Sequence, residues 1–276
     1  MFLLILGWGN LLNIVATALL YNMVQDIDIA PRIDDNEVIW RYMDFASFYS
    51  LLYTKGLFFR RIDKYTDAYE GTLPNEVYDF LINYFDNIQS LLRSTKSGKE
   101  SADSFSANLK ELNTGTLSNS WVATSKEIYA MWKIYLRGST EGVAIRSTVG
   151  RLREVLNSGT TDFTLAKVSY DILSWPQTDY TTLAAYKSKP YTYECELRAL
   201  VYNQFSEETK PIKVFPKVPL YEHGATFPIT VDRLIEKVYI SPFAGAWFYD
   251  VVKTAIQTHL PSFDLKDVIS SGIKDR

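Results

Sequence analysis

Two glutamates and an arginine alternate with apolar residues in the stretch 193–202, and their types could do chemistry. The charged row begins with Glu194, Glu196 and Arg198, and the apolar row consists of Tyr193, Cys195, Leu197, Ala199 and Val201. Alternation with a period of two predicts a strand with one face on the core. Same-face neighbours on a strand lie roughly 6.5–7 Å apart. The pattern therefore directs two carboxylates and a guanidinium at one spot, which is either an ion-paired surface or a functional site.

An arginine and a pair of hydroxyl residues elsewhere in the sequence extend this cluster. In order, Arg41, Ser147-Thr148 and Glu194/Glu196 resemble the arginine, Ser/Thr and Glu-x-Glu pattern of ADP-ribosyltransferases. The resemblance implies NAD as the cofactor, with Arg41 binding its phosphates through a planar fork. It also implies that the hydroxyl of Ser147 positions either the nicotinamide ribose or the key carboxylate. A glutamate would stabilise the positive charge that develops at the anomeric carbon.

On this interpretation the site residues fall into two groups. The catalytic residues are Glu196 and Glu194. The cofactor-binding residues are Arg41, Tyr42, Ser147, Trp132 and Arg198. Tyr42 and Trp132 are included because an aromatic ring suits the flat surface of a base. No metal ligand is assigned.

Each of these residues also has a purely structural explanation. Arg41 could pair with Asp44, and Ser147 could cap the helix that follows it. Glu196 could pair with Arg198 on an exposed face, where such a pair contributes about 1 kcal/mol or less. The sequence leaves both explanations open.

A second group of acidic residues points to a different class of function. Asp63, Asp67 and Glu70 could join the two glutamates around Mg²⁺, as a metal-dependent nuclease requires. Many nucleases carry a lysine near their carboxylates, whereas the strand here offers Arg198, which cannot give up a proton. The simpler alternative is a solvated turn whose acids balance neighbouring basic residues. A third interpretation is a non-catalytic module that binds a small-molecule ligand, a nucleotide or a partner.

Strands and helices interleave irregularly along the chain, which favours an α+β fold over a doubly wound sheet. Strands are predicted at residues 38–43, 57–60, 142–145, 165–170, 193–202 and 234–241. Asp44 is predicted to cap the helix after the first strand, and residues 94–119 are predicted to form a mobile loop or weak helix. The prediction is a single domain over residues 26–276, with a twisted mixed or antiparallel sheet flanked by helices.

Residues 1–25 carry no charged side chain and are dominated by leucine and isoleucine. About 20 apolar residues can span a bilayer as a helix, so we predict a hydrophobic N-terminal helix. Two alternatives stay open. One is a mis-assigned start with Met23 as the true initiator, and the other is a signal peptide with an A-x-A site at residues 16–18 but no basic n-region. The protein is expected in the cytoplasm, anchored to the inner membrane if this segment spans it.

Charge and cysteine content exclude some classes of function. The net charge of −3 and the pI near 5.6 give no overall basic field, so nucleic-acid binding is not indicated. Cys195 is the only cysteine, which excludes an intrachain disulfide and a thiolate zinc site. Its place in the apolar row predicts a buried, inert side chain. The oligomeric state stays open.

Six motifs from residue 38 onward resemble a bacterial family known as a domain of unknown function, number twenty-nine seventy-one. The motifs lie at residues 40–45, 57–71, 130–135, 142–148, 193–198 and 238–242. The chain departs from the family at residues 119–123, where members often carry a cysteine and a histidine. It departs again at residues 187–190, where members often carry Lys-Arg. The family name implies no activity.

Overall fold

The computed structural model describes residues 33–65, 78–79, 82–83, 85–87, 97–159, 161, 163–170, 184–202 and 222–274. The predictions for the hydrophobic segment 1–25, for Asp67 and for Glu70 lie outside the described residues. Within those ranges, no helix combines the length and the apolar character needed to cross a bilayer.

The described residues form nine strands in one mixed sheet, flanked by helices. In chain order the strands are β1 Val38–Asp44, β2 Gly56–Arg61, β3 Thr116–Ala123, β4 Gly142–Thr148, β5 Thr164–Lys167, β6 Glu196–Tyr202, β7 Gly224–Pro228, β8 Lys237–Ile240 and β9 Val268–Ser270. The order across the sheet is β5-β6-β3-β1-β4-β8-β9, and β2 pairs with both β3 and β7. The pairs are antiparallel except for β8 and β9, which are parallel. The predicted α+β class and mixed sheet are confirmed.

Six helices with described bounds accompany this sheet, and residues 78–79, 82–83 and 85–87 are also helical. The six helices are α1 Phe45–Thr54, α2 Gly98–Gly115, α3 Tyr129–Leu136, α4 Val149–Asn157, α5 Val231–Leu234 and α6 Ala246–His259. Asp44 caps α1 as predicted, because its carboxylate accepts a hydrogen bond of 2.7 Å from the backbone N–H of Ser47. The hydroxyl that caps α4 belongs to Thr148, which accepts from the N–H of Arg151 at 3.3 Å. The structural explanation of Ser147 as the cap is therefore wrong.

The prediction for residues 94–119 is only partly correct. The segment contains the 18-residue helix α2 and then the start of β3. Serine, lysine and asparagine interrupt the helical spacing of the apolar residues, so the helix is hard to recognise from local sequence. The helix contacts β2, β3 and the 3-10 turn Ile62–Lys64. These tertiary contacts stabilise it, because its intrinsic helix propensity alone is not sufficient.

The main hydrophobic core covers one face of the sheet. Helices α1, α4 and α6 bury Phe48, Leu152 and Phe248 there, and β6 contributes Leu197 and Ala199. Burial of each large apolar side chain stabilises the fold by roughly 1.5–3 kcal/mol. Because successive strand residues point to opposite faces, the even-numbered residues at the start of β6 must face the other side.

That other side carries a smaller cluster under α3. Trp40, Tyr42 and Val122 of the sheet pack there against Met131 and Trp132 of the helix. In the register of β3 and β6, Val122 lies opposite Glu196 and Ser120 lies opposite Arg198. The charged residues of β6 therefore share a face with this aromatic cluster, next to α3.

Along one edge, β3 pairs first with β2 and then with β1. The unpaired stretch between the two pairings is the division in the sheet, and polar side chains fill it. β3 pairs with β1 at residues 122–123, whereas it pairs with β2 at residues 117–118. The backbone at residues 119–121 lies between these two paired regions on that edge. Side chains complete the hydrogen bonding there: Arg41 donates to the carbonyl of Ser120, and Asn119 donates to the carbonyl of Phe58.

Candidate functional site

The strand of the candidate site begins at Glu196 rather than at Tyr193. The preceding residues Lys189–Glu194 form a 3-10 turn, and Cys195 has a left-handed backbone conformation with φ 42°. Because of this turn, the side chains of residues 193–195 do not follow the alternation of the strand. The prediction that Cys195 is buried is therefore wrong, because its side chain is exposed.

Glu196 and Arg198 form a buried pair on the face below α3. Nε of Arg198 donates to Oε1 of Glu196 at 2.9 Å, and Nη2 donates to Oε2 at 2.9 Å. The third guanidinium nitrogen donates to the carbonyl of Ala184 at 2.6 Å. Arg198 is 0% exposed, so the pairing predicted for an exposed face occurs in the interior instead. A guanidinium held in this way supports Glu196 and is not presented to a phosphate.

Lys187 joins the two glutamates. Its ammonium lies 2.7 Å from Oε2 of Glu194 and 3.5 Å from Oε2 of Glu196. It also lies 4.7 Å from the ring centroid of Tyr191. Although Glu194 lies on the turn and Glu196 on the strand, the two carboxylates meet at this one cation.

The surroundings keep Glu196 ionised. Burial works against the charged form, but the charges of Arg198 and Lys187, with hydrogen bonds from Arg198 and Ser120, outweigh it. Together they lower the pKa of Glu196 from 4.5 to about 2. The site thus holds a full negative charge at neutral pH in a location almost without solvent.

Arg41 reaches the same region from the division in the sheet. Its Nη1 donates to the carbonyl of Ser120 at 2.7 Å, and its guanidinium lies 5.9 Å from the ring centroid of Trp121. Burial lowers the pKa of Arg41, and interactions with Tyr135, Tyr65 and Glu196 oppose that effect. Arg41 is therefore brought to the cluster of Glu196, and its predicted pairing with Asp44 is replaced by the contact with Ser120.

Tyrosine side chains surround the charged groups. The hydroxyl of Tyr65 lies 3.2 Å from Oγ of Ser120, and its ring centroid lies 5.4 Å from the guanidinium of Arg198. The hydroxyl of Tyr170 accepts a hydrogen bond of 2.9 Å from the backbone N–H of Glu196, and burial raises the pKa of Tyr170 to about 12. Burial and the charges of both glutamates raise the pKa of Tyr135 above its usual range. The phenols of Tyr135 and Tyr170 therefore stay neutral and can donate hydrogen bonds.

Tyr42 and Trp132 lie next to this cluster but are themselves buried. The Tyr42 ring stacks on that of Tyr135 at 6.3 Å and meets the Trp132 ring edge-on at 5.1 Å. The indole N–H of Trp132 donates to Glu127 at 3.3 Å. Trp132 also lines a cavity of about 470 Å³ with Lys133, Leu136, Gly138, Ser139, Thr140, Pro242 and Phe243. Of the two aromatic residues, Tyr42 connects to the charged cluster through Tyr135.

Ser147 does not join the cluster. It is fully buried, and its hydroxyl donates to the carbonyl of Leu234 at 2.6 Å. Its partner in the register is Ile39, which belongs to the main core on the opposite face. The hydroxyl that does contact Glu196 belongs to Ser120 on β3. The expected role of Ser147 towards a ribose is therefore corrected, since the sheet separates it from the glutamates.

The proposed acidic metal site finds no support among the described residues. Asp63 pairs with Arg61, whose Nε and Nη2 lie 2.9 and 2.8 Å from its two oxygens. The described residues contain no group of three or more His, Cys, Asp or Glu residues placed to hold a metal ion.

Sequence reasoning missed Lys187, Ser120 and Tyr65 as members of the site. Lys187 precedes Glu194 by seven residues, and only the 3-10 turn brings the two together. Ser120 and Tyr65 depend on the order of strands in the sheet, which local patterns do not specify. A basic residue shortly before a Glu-x-Glu pattern was the one available signal.

No family model matches the sequence, and no match was found among curated proteins. Among solved structures, Thermus sp. 2.9 DarT in complex with carba-NAD+ is similar with a TM-score of 0.37 and 11% sequence identity. The similarity covers 86% of this chain and 96% of that chain.

Proposed function

We propose that this protein is an ADP-ribosyltransferase-like enzyme that uses NAD. One observation carries the proposal: a buried carboxylate, Glu196, is held ionised among cations and tyrosines beside the division in the sheet. A fixed negative charge in a solvent-poor site stabilises positive charge far better than it would in water. Transfer of ADP-ribose develops such a charge at the anomeric carbon of the ribose.

The reaction assigns Glu196 a definite step. The bond between the anomeric carbon and the nicotinamide nitrogen breaks, and nicotinamide leaves with the bonding electron pair. The acceptor then bonds to the same carbon and loses a proton. Glu196 stabilises the oxocarbenium-like state between these events, while Glu194 orients the ribose hydroxyls. Lys187 and Arg198 hold the carboxylates in place.

Arg41 and the tyrosines supply binding on this proposal. Arg41 is half-buried and uses Nη1 to hold Ser120, so the rest of its planar guanidinium can face the diphosphate of NAD. Tyr135 offers a neutral phenol and a flat ring next to Glu196. These groups suit a dinucleotide better than a bare metal ion, because Lys187 and Arg198 already occupy the two carboxylates.

The test is turnover of NAD by wild-type protein and by two matched variants, with and without added cell lysate as a source of acceptor. Glu196→Gln keeps the shape of the side chain but removes its charge, so we expect release of nicotinamide to fall about 100-fold or more. Glu154→Gln is the control, since Glu154 pairs with Arg233 at the surface and should turn over NAD like wild type. Circular dichroism checks that all three proteins are folded.

The outcome can contradict the proposal in two ways. Wild-type protein that neither turns over NAD nor gains thermal stability in its presence would end the transferase interpretation. Full activity in folded Glu196→Gln would remove Glu196 from the mechanism. Glu194→Gln should lose less activity than Glu196→Gln, because orienting a ribose contributes less than stabilising the cation.

A further inference from the structure

We propose that Lys187 is a positioning residue of this site, which keeps the carboxylates of Glu194 and Glu196 together and charged. Its ammonium contacts both carboxylates, at 2.7 Å and 3.5 Å. The inference rests on the proposed function for its effect on turnover. Its effect on the two carboxyl groups can be measured without NAD.

The need for a cation follows from burial. The side chains of Lys187 and Glu194 are each 9% exposed, and that of Glu196 is 3% exposed. Two carboxylates that share such a site repel each other, and one of them takes up a proton unless a positive charge lies between them. Arg198 contacts Glu196 from the same strand, whereas Lys187 contacts both carboxylates at once.

The backbone fixes Lys187 in this position. Its N–H donates to the carbonyl of Ser169 at 3.0 Å, and Tyr186 forms a parallel bridge with Ser169 just beyond β5. The Tyr191 ring lies over the ammonium at 4.7 Å. A lysine has four side-chain torsions to restrict, and this support from backbone and ring holds the charge where the glutamates need it.

Other charged and titratable groups also face the two carboxylates. They come from β1, α3, β6 and the segments beside β2, β5 and β6, and they are Arg41, Tyr65, Tyr135, Tyr170, Tyr191, Tyr193 and Arg198. Burial raises the pKa values of Tyr135 and Tyr170, so these two phenols carry no charge at pH 7 and the arginines supply the remaining positive charge. Loss of Lys187 leaves two negative charges facing fewer cations, and at least one carboxyl should then bind a proton more readily.

The experiment compares Lys187→Met, Lys187→Gln and Lys187→Arg with Lys167→Met in the full chain. Lys167 is the matched control, since it lies on the neighbouring strand β5 and is 55% exposed in a pair with Glu37. Titration of the glutamate carboxyl carbons by NMR should show an upward pKa shift of about one unit or more in Lys187→Met and Lys187→Gln. Lys187→Arg should keep the wild-type titration, as should Lys167→Met.

Turnover gives the second readout. The acid limb of the pH profile for NAD turnover should move to higher pH in Lys187→Gln, with a loss in kcat rather than a rise in KM. Lys187→Arg should recover most of the rate. Unchanged carboxyl titration in Lys187→Gln and Lys187→Met overturns the positioning role. A shifted titration in a protein whose wild type does not turn over NAD supports the positioning role and contradicts the proposed function.

Discussion

At the scale of single residues, the site depends on the charge of Glu196. A buried carboxylate without partners would be protonated, but two cations and a hydroxyl keep this one ionised. The same contacts that favour the charge also favour the folded state. The charge of Glu196 should therefore be visible in the dependence of stability on pH, whether or not NAD binds.

The pKa of Glu196 is lower in the folded protein than in the unfolded chain, about 2 against 4.5. Its contribution to stability is then complete above pH 4.5 and is lost as the pH falls towards 2. The loss should be up to about 3 kcal/mol. Urea unfolding across this range should show a shallower decline in Glu196→Gln than in wild type. Glu154→Gln, altered at an exposed pair, should follow wild type, and equal slopes in all three proteins would contradict the pKa assignment.

At the scale of elements, the strands β1, β4 and β6 could be predicted from sequence, and so could the cap of α1 by Asp44. The local interruption at Cys195 could not, because a 3-10 turn replaces the first residues of an otherwise good strand pattern. The division of β3 between two partners could not be predicted either. The pairing of strands depends on packing between segments far apart in sequence, and the local pattern of residues does not predict it.

Arg41 connects the divided strands, and its removal should cost stability as well as NAD binding. Arg41→Met takes away the donor to the carbonyl of Ser120, which the strand pairing does not replace. An unsatisfied buried acceptor costs about 1–3 kcal/mol, measured as the free energy of unfolding in urea. Arg151→Met is the control, because Arg151 donates to the carbonyl of Arg233 at an exposed position and should change stability by about 0.5 kcal/mol or less. Equal losses in the two variants would show that the contact with Ser120 does not stabilise the sheet.

At the scale of the whole molecule, the candidate site lies where several separate segments meet, on β1, β3, β6 and the segments beside β2 and β5. The sequence identified both glutamates and Arg41, because each lies in a strong local motif. It placed Ser147 in the site, although this side chain lies on the opposite face of the sheet, and it missed Lys187. The positions of these two residues depend on strand order and on one irregular turn. Residue types carry the chemistry, whereas the sheet decides which of them meet.

The same sheet should unfold as one unit, although β7 is attached to it through β2. Gly224 tests this, because it has φ 152° and an added Cβ would lie 2.0 Å from the carbonyl oxygen of Phe59. Gly138 is the control with φ 93° and no atom within 4 Å of an added Cβ. Gly138→Ala should cost about 1 kcal/mol for backbone strain alone, and Gly224→Ala should cost clearly more.

Both variants should be followed by far-UV circular dichroism and by tryptophan fluorescence during thermal unfolding. If β2 and β7 are part of one cooperative sheet, Gly224→Ala lowers a single melting temperature that is the same for both probes. Fluorescence reports the six tryptophans together, and they include the buried Trp40, Trp121 and Trp132 of the sheet and of α3. Two separate transitions in Gly224→Ala would instead show that the β2–β7 arm unfolds independently.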